Sequence, residues 1–205
     1  MLFRSGHFSD TKRYFICEAF KNQYTTFSLR RKRANFQNET MKYFDETKTD
    51  LTKGIRTVSI VPCINEWFAF ISAVLIEDRI YIDDVIFNKD TTESLKKSKE
   101  LINGYNDVEI VNIEAVQEYL YLAREFRQDT EKYVRALANP TNKELRIEAQ
   151  SDFIMANCYF KSGDDNSEYS LFIENLLDCM NKKSIEAANA LVVVVEYFRR
   201  RHLNN

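Results

Sequence analysis

The chain has 205 residues, 44% of them hydrophobic, with only four Gly and two Pro; it is long enough to bury a core, too apolar for a disordered chain and too poor in Gly and Pro for long flexible linkers. Net charge is −2 but unevenly spread: residues 1–55 carry 11 Lys/Arg against 6 Asp/Glu, so a basic arm leads an acidic body. The longest apolar run, Ala187 to Val195, is less than half the roughly 20 residues that span a bilayer, and the first residues lack a secretory h-region, which predicts a protein of the cytosol with no membrane contact.

Cys17, Cys63, Cys158 and Cys179 share no CxxC spacing and His7 and His202 lie at opposite ends, which predicts reduced thiols rather than a zinc or disulfide framework. In chain order, Tyr14, Phe15, Phe20 and Tyr24 stud a polar arm that runs into Arg30-Arg31-Lys32-Arg33, the densest basic cluster. Asn35 to Lys53 is polar and turn-rich and ends at Gly54. Three β-prone stretches follow, Thr57 to Val61, Trp67 to Ile76 and Ile80 to Phe87, the last two joined by the tight turn Glu77-Asp78. Thr91 or Thr92 caps a helix that closes at Asn103-Gly104. Val108 to Ile113 reads as a buried strand, Ala115 to about Lys132 as a helix, Tyr133 to Leu137 as a strand, and Thr141 to about Ala156 as a helix. Cys158-Tyr159-Phe160 reads as a brief edge strand, Ser167 starts a helix with Leu171, Phe172, Leu176 and Leu177 on its apolar face, and Ser184 starts the last helix, to His202.

Three antiparallel strands followed by alternating helices and strands make an α/β domain with a mixed sheet and helices on both faces, the layout of an RNase H-like fold. The expected organisation is an arm over 1–55 and this domain over 56–205. In such a layout the ends of the first and fourth of these strands and the start of the last helix meet at one edge of the sheet. Two Mg²⁺ or Mn²⁺ ions about 3.5–4 Å apart can be held there by carboxylates, which neutralise the attacking and leaving oxygens of a phosphodiester.

From Val58 to Leu203 the chain resembles the C-terminal nuclease domain of phage terminase large subunits, the motors that package viral DNA. The resemblance rests on Arg79-Ile80-Tyr81-Ile82-Asp83-Asp84, on Val111-Asn112-Ile113-Glu114, on Asn142-Lys143-Glu144-Leu145-Arg146-Ile147, similar to the family's Lys-x-x-Arg-Ile helix, and on Ile185-Glu186-Ala187-Ala188-Asn189-Ala190-Leu191, where the family shows Asp-Asp-x-x-Asp-Ala-Leu. It implies that the family's first-strand Asp, the one that bridges the metals, is replaced by Val61. The second acid is kept as Glu114, and the last cluster keeps one carboxylate, Glu186, with Ile185 and Asn189 in place of Asp. Tyr14 to Phe36 looks like the family's aromatic and basic linker, and no G-x-x-x-x-G-K-[ST] loop for ATP hydrolysis occurs in the chain.

Three functions are compatible with these residues. The first expectation is a phage or prophage product without catalysis, a pseudoenzyme of DNA packaging or virion assembly in the host cytoplasm or on the virion, partnered by a portal or a separate ATPase chain. The second is a Mg²⁺- or Mn²⁺-dependent endonuclease using Glu114 and Glu186 as catalytic and metal-binding residues. The third is a non-catalytic nucleic-acid binder that holds phosphates with Arg30, Arg31, Lys32, Arg33, Lys143 and Arg146. An acidic body does not attract duplex phosphate, and this favours the first.

Overall fold

A computed structural model describes residues 36–62, 67–115, 119–138, 142–162, 167–179 and 185–203. Cys17, Arg30 to Arg33, Cys63 and Glu66 lie outside the described residues. Seven strands form one sheet: β1 (Lys42–Phe44), β2 (Ile55–Val61), β3 (Phe68–Ile76), β4 (Arg79–Asn88), β5 (Val108–Glu114), β6 (Val134–Leu137) and β7 (Cys158–Lys161), in the spatial order β1-β7-β4-β3-β2-β5-β6. β2, β3 and β4 pair antiparallel, and β1, β5, β6 and β7 join in parallel. The hairpin between β3 and β4 turns at Glu77, whose φ of 58° is the left-handed conformation that tight hairpin turns need.

Among the described residues five helices cover the two faces: α1 (Thr91–Gly104) and α2 (Leu120–Thr130) on one, α3 (Lys143–Asn157), α4 (Ser167–Leu177) and α5 (Glu186–Phe198) on the other. α5 is apolar on every side, and twelve of its thirteen residues are buried, so it lies under the other helices rather than on the surface. The faces follow from strand alternation. Val58, Ile60, Phe68 and Phe70 pack under α1 and α2, while Val61, Ala69, Ile71 and Ala73 pack under α3 to α5. Cys158 and Cys179 are buried, and burial pushes the Cys158 thiol well above its usual range.

Several sequence expectations are corrected. β7 is not an edge strand: it lies between β4 and β1, and β1 takes the edge. Residues 36–53, assigned from sequence to the arm, pack into the fold, with Phe36, Met41 and Phe44 in the core. The N-cap of α1 is Asp90, whose carboxylate accepts from Glu93 N at 3.0 Å, not Thr91 or Thr92. Asn142 caps α3, accepting from Glu144 N at 2.9 Å. Ala115 does not open a helix, because its N–H extends the β5–β6 ladder to Leu137 O at 3.0 Å. After Phe198, α5 widens into a π-helical turn over Arg199–Leu203.

Asp83 and Asp84 lie in mid-strand rather than at a strand edge. Ile71 pairs with Val85 and Ala73 with Ile82, so the two aspartates oppose Ser72 in a β-bulge. Ile82 and Val85 both face the α3–α5 core, which turns both aspartates to the opposite face. There Arg56, 7% exposed, ion-pairs with Asp83, donates from Nε to Asp107 at 3.0 Å and reaches Ser72 Oγ at 2.7 Å. Lys161 joins Glu46, Asp83 and Asp84, and the Tyr105 phenol donates to Asp84.

Burial, reinforced by Asp84, pushes the Tyr105 phenol above its usual 10.0, and burial with Glu109 pushes Tyr197 up to about 12. Groups whose folded pKa is raised stabilise the fold below their unfolded pKa, and that stability is lost as pH rises through the folded value. Unfolding free energy should therefore fall between about pH 10 and pH 12, in a urea titration at stepped pH, and Tyr105→Phe should flatten the decline.

Gly54 is fixed by space, not by its backbone angles. A Cβ there would run into Val74 Cγ1 and sit 2.7 Å from Leu75 O and 2.8 Å from Ile76 Cγ1. Gly54→Ala should destabilise by about 1–3 kcal/mol, read from the urea midpoint.

Candidate functional site

The parallel register of β2 and β5 builds the site. Ile60 pairs with Ile113, so the next residues, Val61 and Glu114, lie side by side at the strand ends on the face that α5 covers. α5 enters over them, and the Asn189 amide donates from Nδ2 to Glu114 Oε2. Strand ends and helix start thus converge as the sequence layout requires.

The chemistry at that point is closed on itself. Glu114 is 2% exposed; its Oε1 makes no hydrogen bond but lies 3.4 Å from Lys143 Nζ at the start of α3. Asn189 is held as an amide from both sides: while Nδ2 donates to Glu114, Oδ1 accepts from Arg146 at 3.4 Å. An ionised Asp could not donate, and its charge would face Glu114. Arg146 spends its remaining nitrogens on Glu196, at 3.3 and 2.9 Å. Glu186, 4% exposed, accepts from the Ile185 N–H at 2.9 Å, where a carboxylate suits the positive end of a helix.

A two-metal centre does not fit these residues. Val61, 1% exposed, offers a branched alkyl group where a ligand is needed. Lys143 supplies to Glu114 the positive charge that an ion would supply, and among the described residues no group of three or more His, Cys, Asp or Glu is placed to hold a metal. Of the residues expected to touch nucleic acid, Lys143 and Arg146 are engaged with Glu114 and with Glu196 and Asn189; Arg30 to Arg33 lie outside the described residues.

Sequence reasoning missed a second feature beside this site. β6 and the end of α5 enclose two adjoining cavities of about 300 and 330 Å³ that share Arg135, Tyr197 and Arg201. Arg135 donates twice to Asn112 Oδ1, at 2.9 and 2.6 Å, and its guanidinium lies 5.4 Å from the Tyr197 ring centre. Tyr133 to Leu137 reads as a strand from sequence, but nothing in it sets Arg135 next to arginines 65 residues later.

In sequence the chain matches no family model and no curated protein. In structure it is similar to the manganese-soaked nuclease domain of the human cytomegalovirus terminase, at a TM-score of 0.59 and 10% identity over 79% of this chain and 94% of that one. It is also similar to the P22 large terminase nuclease domain, at 0.57 and 13% over 82% and 91%. For the large terminase nuclease of thermophilic phage G20c with bound zinc the values are 0.55 and 10%, over 77% and 94%. The sheet order, the helices on both faces and these likenesses together give the chain the RNase H-like fold of terminase large-subunit nuclease domains.

Proposed function

We propose that this chain is a terminase-type nuclease fold that does not hydrolyse phosphodiesters and that serves viral DNA packaging or virion assembly, in the host cytoplasm or on the virion, through contacts with other proteins such as a portal or a separate ATPase chain. The observation that carries it is the buried Glu114 carboxylate, ion-paired with Lys143 and hydrogen-bonded by Asn189 beside the alkyl side chain of Val61. A carboxylate so engaged would have to break both contacts before it could ligate Mg²⁺ or Mn²⁺, and then would lack the partner acid that shares the ion. No helix among the described residues is long and apolar enough to cross a membrane.

Supercoiled plasmid incubated with the purified chain and millimolar Mn²⁺ should remain intact over hours, as read on an agarose gel. Nicking that disappears in Glu114→Ala would overturn the proposal and establish a metal-dependent endonuclease in its place.

A further inference from the structure

The two cavities beside β6 form one trough in which four arginines outnumber two carboxylates, Glu196 and Glu109. Arg135, Arg146, Arg200 and Arg201 line the cavity of about 300 Å³ against a single carboxylate, Glu196. Most of the chain beyond the arm is acidic, so this concentration of positive charge is local. The sequence run Arg199-Arg200-Arg201 is divided by the π-helical turn: Arg199 turns away, donating to Gln150 at 2.7 Å and packing over Phe153, while Arg200 and Arg201 enter the trough. Such π turns recur where a helix aims side chains at a functional site.

The four guanidiniums are unequally neutralised. Arg146 and Arg200 share Glu196, the latter at 3.6 Å. Arg135 meets a neutral amide and an aromatic face, and burial, with Arg200 and Arg201 nearby, lowers its pKa. An anion in the trough relieves that repulsion. Guanidinium forks match the paired oxygens of a phosphate, and a row of two cavities matches a ligand with repeated charges. At the far mouth Tyr133, 69% exposed, offers a ring on which a base can stack.

We propose that the trough bounded by Arg135, Arg146, Arg200 and Arg201 binds the phosphodiester backbone of a nucleic-acid strand, with Tyr133 stacking a base at its mouth. The site is independent of whether the neighbouring Glu114 centre cleaves anything. Arg146 is a wall residue that also positions Asn189, so the trough adjoins the centre without using its carboxylates.

The test uses the full chain carrying R30Q, R31Q, K32Q and R33Q, so that the arm cannot mask the trough, and reads fluorescence anisotropy of a labelled single-stranded oligonucleotide. Adding R200E and R201E, both at the exposed end of the helix, should weaken binding at least tenfold and flatten the log–log salt dependence by about 1.5. Tyr133→Ala should weaken it several-fold with the salt dependence unchanged. Unchanged affinity in the R200E/R201E chain, with its thermal melt intact, would overturn the proposal. Inorganic phosphate and poly-glutamate serve as competitors. Displacement of the oligonucleotide by either at equal concentration of charge would also overturn it, assigning the trough to a small anion or an acidic protein segment.

Discussion

Arg56→Met should destabilise the fold by about 3–5 kcal/mol, because it removes the one cation that Asp83 and Asp107 share and leaves the buried Asp83 with Lys161 alone, at 3.4 Å. Arg56 Nε and Nη1 tie the start of β2 to the bulge in β4, to Ser72 of β3 and to the residue before β5, and the guanidinium lies 4.3 Å from the Tyr105 ring centre. Four segments therefore lose a common anchor at once. Urea unfolding followed by circular dichroism measures the loss. The paired change Arg56→Met/Asp83→Leu should recover a large part of it, since replacing both charges by apolar groups removes the under-paired carboxylate. A single variant as stable as the native chain would show that solvent already screens this network.

The second large effect concerns the Glu114 centre. Val61→Asp should destabilise by several kcal/mol, because it inserts a carboxylate into a core position beside another one. Combining Val61→Asp with Asn189→Asp and Lys143→Ala assembles three carboxylates and removes the ammonium that now serves Glu114. That chain should melt well below the native one in EDTA and rise steeply in millimolar Mn²⁺, as ion binding to the folded state demands. The native chain should melt at the same temperature with and without Mn²⁺. A Mn²⁺-dependent rise in the native melt that Glu114→Ala removes would mean that an ion displaces Lys143 in solution.

Much of this fold was legible because its central elements are long and carry a clear period. β2 to β5 are runs rich in β-branched and aromatic residues, and the apolar stretch Ala187 to Val195 falls within the expected last helix, whose burial the structure shows. β1 was not legible: three residues, Lys42-Tyr43-Phe44, become a strand only because β7 pairs with them. The bulge at Asp83-Asp84 is equally invisible from one strand, since it exists only relative to Ser72 opposite. At the candidate site the sequence pointed to Val61, Glu114, Glu186 and Asn189, all of which lie at the strand ends or on the first turns of α5. It could not show that Lys143 turns inward to Glu114, because a Lys in a first helical turn reads as a solvated charge. Nor could it join Arg135 to Arg200 and Arg201, which only the meeting of β6 with the end of α5 brings together.

The sheet ends on both sides in very short strands, three residues in β1 and four in β6. Its central strand β3 is almost wholly apolar, the composition that stacks into fibres when a long edge is left open. Here the outermost backbone on either flank offers at most a few unpaired groups, and each flank carries a cation, Lys42 on one and Arg135 on the other. Edges this short and charged give a second sheet little backbone to pair with.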